Sequence, residues 1–524
     1  MSDTQYTAIT FAPVQGFIEK SRKLRDLYGS SYILSHLADA VCQAAEAKSL
    51  TVISPALIAV AKGTPNQIII KGDFPEREAR EVFQQAWGEI VDRCRSWIET
   101  EIPQTYRWRE EWNQWRNYAW EFFWVQGETA DRARKNSTDL KRSRAWIGIN
   151  WKGESSTLSG ADAIAYPSMT LFNPQKGSYT QEDDKIKAFY QALSDRTGEI
   201  IESSEQLSIP ELIKRLVTMP QVARRVGIQE TPETFRDLNR LESNYQTGWF
   251  QGDGDSFGTY LKSLTEDQSN PGKSKPNADE LSKNFSLSLR NWAKDHFSDW
   301  VERDQGGRVV YAGGDDFLGI FYRLSSEDSA DSKLIPLTAT KCLERFYEFP
   351  KVWQKHGEPV TVSVGFVWAF PGVPQREVLQ HCSKAEKKAK EYGRDRLAIR
   401  VLFNSGNYLE WACPWAYLQK IFEGYRDRSG GQNWTHLYND VAVLESRHAF
   451  DPQGAIAQAL WEIYFPEISK DWNLDNDDFL WNKEDQNKQR QSSGILGKRA
   501  TPSQSFTDWF IKLANVGFHL CSNT

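Results

Sequence analysis

Val309-Val310-Tyr311-Ala312-Gly313-Gly314-Asp315-Asp316-Phe317-Leu318-Gly319-Ile320 holds two apolar runs separated by Gly-Gly-Asp-Asp. Runs rich in β-branched and aromatic residues read as strands, and the four residues between them as the connecting turn. The glycines allow φ > 0 and close approach of a phosphate. Two carboxylates at the tip suit a hard divalent cation. Gly and Asp in an exposed hairpin serve turn geometry as readily as they serve an ion, so the weight lies in what surrounds them.

About sixty residues upstream stands Gly248-Trp249-Phe250-Gln251-Gly252-Asp253-Gly254-Asp255-Ser256-Phe257-Gly258, a short strand running into a second carboxylate cluster and then a helix from near Ser256. Two-metal phosphoryl transfer needs carboxylates from adjacent strands, with the ions roughly 3.5–4 Å apart. A strand, helix and hairpin in that order bring Asp253 beside Asp315. Downstream, a helical segment spans residues 339–353, and Val360-Thr361-Val362-Ser363-Val364-Gly365-Phe366-Val367-Trp368 reads as a central strand. An amphipathic helix follows, with Val378, Leu379, Cys382, Ala385 and Ala389 on one face, then a last strand over residues 397–402. Lys390 and Arg394 lie four apart at the helix end. There they either pair with nucleotide phosphates or serve as ordinary cations at a helix C-terminus.

This order of elements is that of a palm, the α+β, ferredoxin-like domain in which nucleotidyl transferases present their metal-binding acids. The chain further resembles the large subunit of type III CRISPR effector complexes, the Cmr subtype in particular. The resemblance is carried by Ile9-Thr10-Phe11-Ala12-Pro13-Val14-Gln15-Gly16-Phe17-Ile18, by residues 21–35 from Ser21-Arg22-Lys23-Leu24 to Ile33-Leu34-Ser35, and by Thr64-Pro65-Asn66-Gln67 before Ile68-Ile69-Ile70. It continues in residues 206–216, Gln206-Leu207-Ser208-Ile209-Pro210-Glu211-Leu212-Ile213-Lys214-Arg215-Leu216, and in the Asp253-Gly254-Asp255, Gly-Gly-Asp-Asp and Ala389-Lys390 elements, all in the family's order.

The resemblance implies two ferredoxin-like palm domains, a helical insert and a C-terminal helical bundle. It implies a target-RNA-activated cyclase that makes 3′–5′ linked cyclic oligoadenylate from ATP with two Mg²⁺ or Mn²⁺ ions. Asp253 and Asp315 would be the main metal ligands, with Asp316 and Asp255 supporting them. Gly254, Asp255, Ser256, Gly313, Gly314, Lys390 and Arg394 would contact nucleotide. The first palm would supply a second nucleotide pocket, for which Gln15, Ser21, Arg25 and Ser30 are polar candidates, although a solvated helix face explains them equally well. The implied partners are the other effector subunits, guide RNA and target RNA.

Two departures from the family pattern matter. Many relatives begin with a histidine-aspartate nuclease domain, whereas none of the seven histidines here precedes an aspartate, so DNA cleavage by this chain is not expected. The six cysteines, Cys42, Cys94, Cys342, Cys382, Cys413 and Cys521, contain no C-x-x-C pair, and no structural zinc is expected. Some nuclease-less relatives are thought to join AMP to another small molecule such as S-adenosylmethionine, which is one alternative product. A diguanylate cyclase would carry Gly-Gly-Asp-Glu-Phe and a single palm. A scaffold without activity is the remaining alternative, against which stands the keeping of four acids at one place.

The net charge of −6 argues against a protein that coats nucleic acid by itself. No apolar run is long enough to span a bilayer, no secretory signal is present, and unframed cysteines suit reduced thiols, so a cytoplasmic location and no membrane partner are expected. The boundaries read as a first palm over 1–100, an insert and helical connector over 101–246, a second palm over 247–403 and a helical domain over 404–524. Trp108, Trp112, Trp115, Tyr118 and Phe122 recur at helical spacing and read as a core face or a base-stacking platform. Arg132-Ala133-Arg134-Lys135 and Lys141-Arg142-Ser143-Arg144 read as a solvated loop or an RNA contact. The 21 tryptophans suggest docking surfaces. Residues 265–279 read as a mobile loop. Tyr408-Leu409-Trp411 reads as a helical stripe, like Ile456-Leu460-Ile463 and Phe506-Phe510-Leu513, and residues 481–504 as a disordered or looped polar run.

Overall fold

The computed structural model describes residues 5–55, 66–143, 151, 153–169, 179–228, 230–231, 245–266, 278–303, 306–322, 337–451, 454–472, 477–482, 493–499 and 505–522. They fall into two compact units, one of residues 1–239, 264–290 and 310–314, the other of residues 240–263, 291–309 and 315–524. Among the described residues no helix is long and apolar enough to cross a membrane.

In the first unit β1 (Tyr6–Ala12), β2 (Thr51–Ser54), β3 (Gln67–Lys71) and β4 (Glu121–Gly127) pair antiparallel in the order β2-β3-β1-β4. Alternate residues of β1 serve two cores, which is why the strand is buried almost throughout. Tyr6 and Ala8 pack with Ile69 and with Ala133 of the helix Ala130–Ser143. On the other face Phe11 meets Phe83 of the helix Glu76–Glu101, ring centroids 4.9 Å apart. The helix Leu24–Ala47 begins where Asp26 accepts the amides of Arg22 and Lys23, each at 2.8 Å. It crosses the helix Ile209–Leu216 at Gly29, where a Cβ would lie 2.0 Å from the Lys214 carbonyl oxygen. At this joint the Arg215 guanidinium is held by Asp26 and Glu205, all three side chains buried.

The second sheet has six strands in the order β10-β9-β8-β5-β7-β6, all but β6 lying wholly in the second unit: β5 (Thr247–Gly254), β6 (Gly307–Ala312), β7 (Phe317–Phe321), β8 (Val362–Ala369), β9 (Arg396–Leu402) and β10 (Tyr408–Pro414). β5 runs antiparallel to both neighbours, β8 and β9 are parallel, and β10 is antiparallel to β9. Every residue of β8 is buried, so both its faces are covered. On one face lies the helix Gln375–Glu391, brought close by Gly365, where a Cβ would sit 2.3 Å from the Glu386 amide nitrogen. On the other, Phe250, Phe317 and Phe321 join Phe297 and Trp300 and the Phe346 and Phe349 rings of the helix Ala339–Gln354. Side chains alternate along a strand, and Phe250 faces the aromatic cluster, so Asp253 lies on the side of the helix Gln375–Glu391.

The sheets extend beyond the boundaries expected from sequence. β4 pairs with β1 across its length and belongs with the first sheet, although residues 121–127 lie in the expected insert. Only Arg109–Tyr118 of the aromatic stretch is helical: Trp108 and Trp112 are buried, Tyr118 is exposed, and Phe122 sits in the strand. Tyr408-Leu409-Trp411 is strand β10 rather than helix, because β9 offers an open edge that these residues pair with. The basic run is helical as far as Ser143, not a loop. Within the polar run, Ile495 and Leu496 are buried and Trp481 bridges Gly497, so residues 493–499 are ordered against the unit. Trp87, Trp249, Trp292, Trp411, Trp461 and Trp509 are fully buried, so these tryptophans build cores rather than docking surfaces. The expected features at Thr64-Pro65, Arg144 and residues 267–277, 483–492 and 500–504 lie outside the described residues.

Candidate active site

The β6–β7 turn carries Asp315 and Asp316, and Gly314 within it has φ of +139°, a conformation that favours glycine. The Gly254 amide donates to the Asp315 carbonyl at 3.2 Å, fastening the turn to the end of β5. Asp253 and Asp315 therefore ride on hydrogen-bonded neighbours. Ser256 is exposed, with φ of +59°, and turns the chain into the helix Phe257–Glu266. Gly254 makes this possible, since a Cβ there would come within 1.6 Å of the Phe257 ring.

Asp315 is half-buried and Asp316 exposed. Burial, then the neighbouring charge of Asp316, pushes the Asp315 carboxyl up to about 7. Asp316 rises too, through desolvation. Water reaches Asp316, so its share is discounted, and Asp315 is the group that most wants a cation.

The cation present is Lys390. Its ammonium is ion-paired with Asp253 and, at 2.7 Å, with Glu386 one turn earlier on the same helix. Burial, then the charge of Arg394, lowers Lys390 to about 8. Burial, then the charge of Asp316, raises Glu386 to about 7. Glu386 did not stand out in the sequence, where it looks like one more charge on a lysine-rich helix. The signal was its i,i+4 spacing from Lys390.

Asp255 has a different task. It is buried, accepting from the Thr361 hydroxyl at 2.8 Å, the Ser363 hydroxyl at 2.7 Å and the Asp395 amide at 3.0 Å. Burial raises its carboxyl despite those donors. Its oxygens are thus engaged by donors at the start of β8 and from the turn after the helix Gln375–Glu391. Arg394 lies beyond the helix end in a left-handed turn, φ +67°, 3.9 Å from Asp255 rather than one turn above Lys390. That turn is itself gripped from the C-terminal segment. Buried Arg396 donates to the Arg394, Asn482 and Gly494 oxygens at 3.0, 3.2 and 3.2 Å, and Asn482 donates to the Gly393 carbonyl at 2.9 Å. Sequence reasoning missed these residues because they meet only through the fold.

Gln15 and Arg25 belong to the first unit. There Gln15 donates to Glu19 and Arg25 to Thr218, while the Ser21 and Ser30 hydroxyls donate to the carbonyls of Ile18 and Asp26. All four have local hydrogen-bonding work.

Among the described residues no three Asp, Glu, His or Cys side chains converge on one point that could hold an ion. The acids still suit a magnesium-type ion, which keeps several waters and takes one or two carboxylates plus substrate phosphates.

A strand-end acid, a Gly-Gly-Asp-Asp turn and a lysine-bearing helix on a mixed sheet define a palm domain of nucleotide-cyclase type. A family model described as Cas10/Cmr2, second palm domain, matches residues 246–398, and one described as CRISPR-associated protein Cmr2, N-terminal, matches residues 6–92. Over those residues the chain thus resembles the Cas10/Cmr2 large subunits of type III CRISPR effectors. Among solved structures it is similar to a chain of the type III-B Cmr-beta complex in the apo state, with TM-score 0.56 and 11% identity over 88% of this chain and 77% of that one. It is also similar to a chain of Cmr-beta bound to cognate target RNA, with TM-score 0.53 and 10% identity over 98% of this chain and 83% of that one. At such identities the likeness speaks for the fold. No curated protein matches it in sequence.

Proposed function

We propose that this chain is the nucleotidyl transferase of a type III effector, joining ATP molecules into 3′–5′ linked cyclic oligoadenylate when its complex binds target RNA. The observation that carries the reading is the Gly254–Asp315 hydrogen bond, which sets the Asp253 strand end against the Asp315-Asp316 turn. Divalent cations held by Asp253 and Asp315, with Asp316 in support, would supply neutralising charge and a more acidic attacking 3′-hydroxyl.

The chain's own residues do the rest. Asp255, fixed by Thr361 and Ser363, holds the Arg394-Asp395 turn in place. Arg394, its side chain 40% exposed, is open to a phosphate, and Lys390 turns its ammonium to a second one once released from Asp253. Gly313 and Gly314 let backbone approach the nucleotide, and Ser256 offers it a hydroxyl. By the likeness to the RNA-bound Cmr-beta chain, the partners are the other subunits, guide RNA and target RNA.

The test is the assembled complex with radiolabelled ATP, Mg²⁺ or Mn²⁺ and matching target RNA, beside Asp315→Ala/Asp316→Ala, with products identified by mass spectrometry. RNA-dependent adenylates absent from the variant are expected. Products formed only when S-adenosylmethionine is added would replace the cyclase by a conjugating enzyme. An intact complex that releases no pyrophosphate under any condition would leave a scaffold.

A further inference from the structure

We propose that the Lys390 ammonium is the resting counter-ion of the carboxylate site and that Glu386 is its second seat, so that a divalent cation enters by moving Lys390 off Asp253. The inference rests on the metal-dependent reading above and adds to it a residue, Glu386, and a competition.

The three side chains differ in how open they are. Lys390 and Asp253 keep 27% and 22% of their side-chain surface, whereas Glu386 keeps 7%. Asp253 is thus within reach of an incoming ion, and Glu386 is too deep to be a solvated surface acid. The Glu386 Oε1 faces the ammonium as an ion pair and has no hydrogen-bond partner. A buried carboxylate oxygen that faces an ammonium at contact distance is costly to leave without it.

The arrangement lets it stay while leaving Asp253. Glu386 and Lys390 are four residues apart on one helix and the ammonium already touches both acids, so side-chain rotation alone frees it from Asp253 while it keeps Glu386. Gly365 holds that helix against β8 at Glu386 itself, which fixes the seat. An ammonium and a divalent cation cannot share Asp253 without strong repulsion. When the ion arrives, Lys390 withdraws to Glu386, from where its long stem still reaches a phosphate. Glu386 is in this sense a positioning residue: it acts through Lys390 and does not hold the ion.

The test is Mn²⁺ binding to the full chain without nucleotide, followed by electron paramagnetic resonance, for wild type, Lys390→Met, Glu386→Gln and the double variant. Lys390→Met is expected to bind Mn²⁺ about tenfold more tightly, because the competitor is gone. Glu386→Gln is expected to bind several-fold more weakly, because Lys390 has nowhere to go, and the double variant should match Lys390→Met. Lys390→Gln, closer in polarity, repeats the measurement should the methionine variant melt early. Binding unchanged or weakened in both lysine variants, with wild-type binding intact, overturns the competition alone. A further loss on adding Glu386→Gln to Lys390→Met makes Glu386 a ligand and overturns its role as a seat. No Mn²⁺ binding by wild type or either lysine variant overturns the metal reading and the inference with it.

Discussion

The amide of Gly254 donates to the carbonyl of Asp315 at 3.2 Å, so the end of β5 and the acidic turn form one hydrogen-bonded unit. Gly254 can approach only because it lacks a side chain, the Phe257 ring filling the space a Cβ would need. Gly254→Ala should therefore displace Asp253 from Asp315 without unfolding the sheet. ATP turnover by the assembled complex is expected to fall about a hundredfold, with the far-ultraviolet circular dichroism unchanged.

Asp315→Asn should abolish turnover and yet stabilise the protein above neutral pH. Burial and the Asp316 charge push the folded carboxyl up to about 7 from 3.8. A group raised on folding binds its proton more tightly in the native state, so native stability falls as pH climbs from near 4 to near 7. The asparagine variant has no such loss. Its melting temperature should match wild type at pH 4 and exceed it at pH 8, and added Mg²⁺ should narrow the gap by stabilising wild type more. Thermal melts at the two pH values, with and without Mg²⁺, check this.

Much of the second sheet was legible in sequence because local pattern and tertiary role agree there. The run from Val362 to Ala369 is β-branched and aromatic and is buried on both faces. The Gly-Gly-Asp-Asp turn joins two apolar runs that are strands β6 and β7. β4 and β10 were hidden for a shared reason: Phe122 continues the helical spacing of Trp108 and Trp112, and positions 408, 409 and 411 suit a helix face or a strand. Only the pairing partner decides, and pairing is not local. Glu386 was hidden because its depth comes from Gly365 on another element. Asp255 was seen, but its commitment to Thr361 and Ser363 depends on register across β5 and β8.

Arg215 joins Asp26 and Glu205 where two helices of the first unit cross, and none of the three reaches water. Burial alone would raise both acids, but the guanidinium and neighbouring amides outweigh it and hold each below its ordinary range. Arg215→Ala would strand two buried carboxylates and should destabilise by about 3–5 kcal/mol. Acids depressed on folding contribute stability above their unfolded values, 3.8 and 4.5, and that contribution drains as pH falls. The deficit of the variant should thus be full at pH 7 and shrink below about pH 4, as urea titrations at both pH values would report.

Asn482 ties the C-terminal segment to the turn over residues 393–395. It donates to the Gly393 carbonyl and accepts from Arg396 and from the Gly494 amide, at 2.9, 3.2 and 2.9 Å. Two residues on from Gly393, the Asp395 amide donates to Asp255, so slack in this grip passes to that acid. Asn482→Ala leaves a buried guanidinium short of an acceptor and should cost about 1–3 kcal/mol. The effect on chemistry should exceed the effect on binding, since no nucleotide contact is removed: kcat falls and KM for ATP changes little. Faster hydrogen exchange at the amides of residues 393–396 would locate the cause in the turn. Unchanged exchange there with a lowered kcat would place it elsewhere.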